Sequence, residues 1–354
     1  MKRKRKLFLL IPLILLVLIL VTLIGGYSMF KTELNAIRTI EKLDDSLYIM
    51  EYAGDYGFAT FLEQGGAKSD TEMAGYISEF LSKGFYKYET ADSTYGCSTI
   101  AALTPDGSYV FGRNFDWEES IGMIVKAKPD GAYASISTVN LDFLGFSEGF
   151  LPEGFSNSFM ALAAVYVPLD GMNEKGLCIA DLVIEDSGET HQDSGKPDIT
   201  TTAAIRMILD YAATVDEAVT LLKQYDMHSS ASIMHHFAIT DETGRAIVVE
   251  YVDNVMVVTD TQYVTNFYLA KGDWYGYGSE GSKQRFAKLK SLYEEKNGVM
   301  TTEDVKEALM DVSQSIWKDG NWSTEWSIVY EQKAKTINFY HRENYDKPYF
   351  FNIK

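Results

Sequence analysis

Two cysteines, seven prolines and five histidines are all that 354 residues contain of those types. Cys97 and Cys178 are too few for a disulfide framework; in an exported chain they allow one bridge. They form no Cys-x-x-Cys, and the histidines form no His-Glu-x-x-His. Neither common zinc pattern is present, and no metal or other cofactor is expected. His235 and His236 are adjacent in a predicted strand and point to opposite faces, so they do not pair as ligands. Positive charge is scarce too: 32 Lys and Arg face 50 Asp and Glu, a net charge of −18. Five of those cations are gathered in Lys2-Arg3-Lys4-Arg5-Lys6, which leaves the body more acidic still. Such a body repels polyanions, and a nucleic-acid partner is not expected.

Long apolar runs are also rare. The exception is Leu7 to Ile24, broken only by Pro12 and Thr22. Eighteen helical residues span about 27 Å, close to the hydrocarbon thickness of a bilayer. Gly25-Gly26-Tyr27-Ser28 follows, without an Ala-x-Ala-like cleavage site. The basic cluster precedes the run and predicts a cytoplasmic N-terminus. Residues 1–26 therefore read as a basic tip and an uncleaved signal anchor. The rest is then extracytoplasmic and held to the cell membrane; secretion after signal cleavage is the alternative.

Residues 27–96 form an N-terminal segment too short to bury a core alone. It is expected to pack on the body, with a helix over 31–46, a strand over 47–52 and a helix over 69–83 behind the Ser69-x-x-Glu72 cap signal. Strands multiply from Cys97. Hairpins are predicted around Pro105-Asp106-Gly107, around Pro129-Asp130-Gly131 and at Asp241–Gly244. Helices are predicted over 201–213, 215–225, 282–296 and 302–313, and strands close the chain. The order strands, helices, strands, helices, strands suits two antiparallel sheets stacked face to face with helices outside. The Gly- and Phe-rich stretch 141–159 reads as a loop, either beside a pocket or folded over the core.

Chemistry concentrates in Gly96-Cys97-Ser98-Thr99-Ile100 and Gly112-Arg113-Asn114-Phe115-Asp116-Trp117. A strand from Cys97, a tight turn and a strand over 108–112 return the Arg113 guanidinium and the Asp116 carboxylate to the side of the thiol. A thiol with a cation and an anion in reach is a candidate nucleophile. Cleavage of the Gly96–Cys97 bond would give Cys97 an α-amine, whose ordinary pKa of about 7.7–8.0 lies close to that of a base at neutral pH. One residue would then supply nucleophile and base without a histidine.

The same stretch resembles the choloylglycine hydrolase family of N-terminal nucleophile (Ntn) hydrolases, which includes bile salt hydrolases and penicillin V acylases, with acid ceramidase as a relative. The resemblance covers residues 97 to about 350. It implies an α+β, four-layer αββα sandwich over 97–354 and hydrolysis of linear amide C–N bonds through a thioester. It also implies self-cleavage at Gly96–Cys97, as in the ceramidase branch. By the same resemblance Arg113 supports the nucleophile and Asp116 orients the α-amine. Asn266 supplies the oxyanion hole, and Arg285 is a second active-site arginine. The second oxyanion asparagine of bile salt hydrolases is replaced by Val183, where a backbone N–H or nearby Asp181 is left to serve. The expected partner is a small amide with an apolar acyl group. Three rivals stay open: a papain-like protease pairing Cys97 with His235 or His236, an acyltransferase, and a non-catalytic surface-binding domain.

Overall fold

The computed structural model describes residues 2–84, 96–184, 187–315 and 323–353, with side chains from residue 14 onward. The chain opens with α1 (Lys2–Met29), α2 (Lys31–Ile37), β1 (Glu41–Asp44), β2 (Leu47–Ala53), α3 (Phe58–Glu63) and α4 (Asp70–Ser82). The body begins with β3 (Gly96–Leu103), β4 (Tyr109–Trp117), β5 (Gly122–Lys128) and β6 (Ser135–Asn140), then α5 (Gly154–Met160), β7 (Asp170–Asn173) and β8 (Cys178–Ile184). There follow β9 (Asp198–Thr200), α6 (Thr201–Tyr211), α7 (Val215–Leu222), β10 (Asp226–His228), β11 (Met234–Thr240) and β12 (Ala246–Val252). The chain closes with β13 (Val255–Asp260), β14 (Tyr263–Thr265), α8 (Glu280–Glu295), α9 (Thr302–Asp311), β15 (Ser323–Glu331), β16 (Thr336–His341) and β17 (Tyr349–Asn352).

The strands form two large sheets, ordered β1-β2-β5-β6-β7-β8-β11-β12-β13 and β14-β3-β4-β15-β16-β17, with β9 and β10 as a separate parallel pair. Strand alternation sorts their side chains into layers. Between the sheets lie Cys97, Ala101, Phe111, Phe115, Ala180, Leu182, Trp326 and Ile328. Ile100, Ala102, Val110 and Val329 turn the other way, onto Leu289 of α8 and Val305 and Leu309 of α9. On the far side of the first sheet, Tyr48, Met50, Ile179 and Phe237 meet Ile77, Ile205, Met207 and Ile208 of the outer helices. Helix, sheet, sheet and helix layers result, an α+β two-sheet sandwich. Each fully buried Leu, Ile, Val or Phe contributes about 1.5–3 kcal/mol, so the two interior sheets are held from both faces.

Several boundaries differ from the sequence expectation. The helix foreseen over 31–46 ends at Ile37, and Glu41–Asp44 instead pairs antiparallel with β2. The three-residue spacing of Leu34, Ile37, Ile40 and Leu43 is overridden by the sheet edge that β2 offers. Ser46, at φ 59°, supplies the tight turn between the two strands. The sheets are not wholly antiparallel: β2 runs parallel to β5 over seven register pairs, a crossover that spans α3, α4, β3 and β4. Residues 141–159 meet both readings in part: Phe146 and Phe159 belong to the core, Asp142, Phe146, Ser147 and Glu148 border a polar cleft, and Phe155 of α5 is exposed. Phe155 and Phe159 border an apolar cleft of about 490 Å³ with Thr22, Leu23, Gly26, Tyr27 and Phe30, which excludes every predicted catalytic residue.

The N-terminal segment is woven into the body. β2 is an interior strand of the first sheet, and Phe58, Phe61, Met73, Ile77 and Leu81 are core residues. Ser69 caps α4 as foreseen, its hydroxyl accepting from the Glu72 N–H at 3.2 Å. Residues 85–95, directly before the Gly96–Cys97 bond, lie outside the described residues. At the N-terminus, no single described helix is long and apolar enough to cross a membrane. Counted from Ile14, where side chains are described, the remainder of α1 meets the length and composition only together with α2, across a 72° bend.

Candidate active site

Cys97 opens β3, and β4 runs antiparallel beside it with Cys97 opposite Phe115, Thr99 opposite Arg113 and Gly96 opposite Asp116. β4 extends to Trp117, past the end expected at Gly112, so Arg113 and Asp116 lie within a strand. Alternation then decides their faces. Arg113 points with Cys97 into the layer between the sheets, whereas Asp116 points to the helix side, beside Gly96.

Arg113 is fully buried. Its Nη1 pairs with the Asp170 carboxylate at 2.9 Å, and its Nη2 donates to the Asp181 carbonyl at 3.1 Å and to Cys97 Sγ at 3.6 Å. Burial pulls the guanidinium pKa down, but Asp170 and the other nearby anionic groups outweigh it and the net shift is upward. Asp170, which sequence reasoning missed, also accepts from Tyr330 Oη at 2.8 Å, Trp326 Nε1 at 3.3 Å and the Thr138 hydroxyl. It opens β7, and no local motif in the sequence marks it. Burial pushes the Cys97 thiol up to about 12, with Arg113 opposing. In this environment the thiol is neutral near pH 7, and a base must take its proton for it to act.

Asn266 follows β14, the strand paired with β3, so adjacency in the sheet brings it back to Cys97. Its side chain is held at both ends. Oδ1 accepts from the Cys97 main-chain N–H at 2.7 Å and from Arg285 Nη2 at 2.8 Å; Nδ2 donates to the Val183 carbonyl at 2.8 Å. An amide nitrogen carries two hydrogens, so one remains for a further acceptor. Arg285, in α8, also reaches Ser98 Oγ at 3.1 Å and the Cys97 carbonyl at 3.4 Å. Its helix is fastened to β14 by the Ser282 hydroxyl, which donates to Thr265 Oγ1 at 2.9 Å.

Asp116 accepts from Gln314 Nε2 and from Thr324 Oγ1, each at 2.7 Å. A Cβ on Gly96 would stand 3.0 Å from that Gln314 nitrogen and 3.5 Å from Asp116 Oδ2. A side chain at this position would press on the Gln314 amide that donates to Asp116. Cys97, Arg113, Asn266 and Arg285 thus converge on one point, with Asp116 across the strand from them.

Other candidates find different places. Cys97 and Cys178 are both free thiols. Cys178 is fully buried between the sheets, and burial holds its pKa well above the ordinary thiol value. Val183 offers Asn266 an acceptor, and the Asp181 carboxylate is turned to His235, so neither side chain replaces the missing amide. His236 faces Glu250, 3.3 Å from Oε1, on the side of β11 opposite to His235. Two further spacings are incidental. Gly145-Phe146-Ser147-Glu148-Gly149 lies in a loop rather than a strand-to-helix elbow. Gly276-Tyr277-Gly278-Ser279-Glu280-Gly281 opens α8 but follows a loop, not a strand. Among the described residues, no group of three or more His, Cys, Asp and Glu is placed to hold a metal ion.

Residues 97–268 match the model of the linear amide C-N hydrolases, choloylglycine hydrolase family. A penicillin V acylase of Pectobacterium atrosepticum is 32% identical over 100 residues, 25% of this chain and 26% of that protein. A bile salt hydrolase/transferase of Clostridium perfringens is 30% identical over 173 residues, 46% of this chain and 50% of that protein. The chain thus matches about a quarter and about half the length of these relatives. A variant of the conjugated bile acid hydrolase of Clostridium perfringens superposes with a TM-score of 0.53 at 19% identity, covering 73% of this chain and 92% of that one. Penicillin V acylase from Agrobacterium tumefaciens gives 0.50 at 19% identity, over 72% and 85% of the two chains. At such identities the structures establish the fold.

Proposed function

We propose that this chain is an extracytoplasmic, membrane-anchored cysteine amidohydrolase that activates itself by cutting Gly96–Cys97. The observation that carries the reading is the surroundings of the Cys97 nitrogen. It lies 2.7 Å from Asn266 Oδ1, beside a thiol that Arg113 contacts at 3.6 Å.

In the first step, Cys97 Sγ adds to the Gly96 carbonyl carbon and the peptide C–N bond breaks. The Gly96 acyl group moves to sulfur while the nitrogen gains a proton. Water hydrolyses the thioester, giving a Gly96 carboxylate and a Cys97 α-amine. In turnover that amine takes the thiol proton, and sulfur attacks the substrate carbonyl. The remaining N–H of Asn266 meets the oxyanion, a contact of a few kcal/mol in the transition state. The proton passes to the departing amine, and water, deprotonated by the Cys97 amine, releases the acid. Asp116 steadies that amine from the far side of β4. An apolar acyl group fits the relatives' printed activities.

The test is intact mass and N-terminal sequencing of the purified full chain beside Cys97→Ala, followed by an amide panel. The panel holds conjugated bile salts, penicillin V, N-acyl amino acids and N-acyl lactones. A new N-terminus at Cys97 that the variant lacks, with turnover of at least one amide, supports the proposal. An uncut, inactive wild type favours a non-catalytic binding domain. Recovery in the membrane fraction supports the anchor, and recovery of the protein in the medium refutes it.

A further inference from the structure

Asn266 and Arg113, which contact the Cys97 nitrogen and sulfur, are both aimed by main-chain carbonyls of one three-residue segment of β8. Arg113 donates to the Asp181 carbonyl at 3.1 Å and Asn266 donates to the Val183 carbonyl at 2.8 Å. What fixes Asp181-Leu182-Val183 therefore fixes the donors around the nucleophile. The Asp181 side chain is completely buried, and its carboxylate is gripped by His235 Nδ1 at 2.9 and 3.0 Å. The other ring nitrogen, Nε2, lies 2.8 Å from the Ser230 carbonyl oxygen.

This geometry constrains the proton count. A neutral imidazole has one N–H and one bare lone pair. Here both nitrogens face oxygens, a carboxyl group and a carbonyl, so with Asp181 ionised a neutral ring would set a lone pair against an oxygen in a dry interior. Two N–H groups satisfy both contacts. The charge is also matched: burial alone lowers the His235 pKa, but Asp181 and, further out, Asp70 more than offset it and the net shift is upward.

The far end of the grip is built with equal care. Ser230 leads into Ala231 and Ser232, two residues at φ of 52° and 53°, a conformation that costs energy without glycine. Asp70 at the start of α4 holds this turn, accepting from Ser230 Oγ at 2.9 Å and from the Ala231 N–H at 2.8 Å. The N-terminal segment thus braces the turn whose carbonyl receives His235.

We propose that Asp181 and His235 form a buried carboxylate–imidazolium positioning pair that locks the β8 carbonyls against Arg113 and Asn266, and that Asp70 completes it from the N-terminal segment. This rests on Cys97 being the nucleophile, but the pair itself is observable without turnover. It also separates His235 from a papain-like role, since a ring donating through both nitrogens has no lone pair with which to take a thiol proton.

The experiment has two readouts on the full-length protein. In the first, nitrogen NMR of the histidine-labelled protein, with His235→Gln to assign the signal among five histidines, reports ring protonation from pH 6 to 8. Both His235 nitrogens stay protonated if the pair exists; a neutral tautomer across that range overturns it, whatever the enzyme does. In the second, His235→Gln, Asp181→Asn and the double variant are compared for kcat, KM and thermal midpoint on an amide that the wild type turns over. Each single variant lowers kcat by at least tenfold with KM within about threefold, and the double variant, an amide pair without charges, regains part of that loss. Wild-type kcat in His235→Gln refutes the positioning role. So does a fall in kcat that follows only the loss of folded protein. If His235→Gln does not fold, Asp70→Asn serves: it weakens the brace from outside the sheet, and an unchanged kcat there removes Asp70 from the proposal. Absence of any wild-type turnover would instead indict the hydrolase reading and leave the NMR result standing.

Discussion

The side-chain carbonyl oxygen of Asn266 accepts the main-chain N–H of Cys97 across 169 residues of sequence. The amide is thereby oriented before any substrate arrives, its nitrogen end turned toward Val183. An oxyanion donor that is already fixed costs no reorganisation during reaction. Asn266→Ala is expected to lower kcat by about 10²–10³, with KM changed only a few-fold. Steady-state kinetics of the processed enzyme checks this; a variant within threefold of wild type removes Asn266 from the oxyanion role.

Asp170 faces Arg113 in the dry layer between the sheets and gathers three further donors. Removing one partner of such a pair leaves a buried charge uncompensated, a loss of about 3–5 kcal/mol. Asp170→Ala should therefore shift the urea midpoint far down and abolish activity. Asp170→Asn keeps the shape but not the charge and should fall between. A midpoint unchanged in both variants would show that the pair contributes little.

Cleavage at Gly96–Cys97 should not release the N-terminal piece. β2 pairs with β5 along seven residues, and Tyr48, Met50, Tyr52, Phe58, Phe61 and Ile77 are core residues against the outer helices. At about 25 cal/mol per Å² of apolar surface, a piece buried to this extent stays bound without a peptide bond. Both fragments should elute together on gel filtration in detergent and in high salt, and part only in denaturant. Separation in native buffer would mean that the segment is a dispensable propeptide.

His341 sets an acid limit on stability. Its ring is 8% exposed, and burial, aided by Arg342 and opposed by Asp44, brings its pKa down to about 4. Above pH 6.5 the ring is neutral folded and unfolded, and the contribution is complete. Between pH 6.5 and about 4 the unfolded chain takes a proton that the folded chain refuses. Stability falls there by up to about 1.4 kcal/mol per pH unit, about 3 kcal/mol in all. Urea midpoints at pH 7 and 4.5 should differ less in His341→Gln than in wild type; an equal difference would assign the loss to other groups.

Much of the fold and part of the site were legible from residue order alone. Turn chemistry at Pro105-Asp106-Gly107 and Asp241–Gly244, and the cap at Ser69, are local, so hairpins and helices could be read where they formed. Cys97, Arg113 and Asp116 share one hairpin, and their spacing carried the family likeness. Asn266 and Arg285 were reached by resemblance rather than by spacing, because nothing local announces which strand end will return beside β3.

Tertiary structure decided the rest. Glu41–Asp44 became a strand because a sheet edge was there to receive it, a long-range gain that outweighs helical spacing. The counter-ion of Arg113 comes from β7, the grip on Asp181 from β11 and the brace of that grip from α4. Each is a polar group made necessary by burial, and burial is a property of the packed layers. Sequence by itself determined the chemistry available at Cys97. The stacking of two sheets determined which charges that chemistry would face, since only packing removes the water that would otherwise screen them.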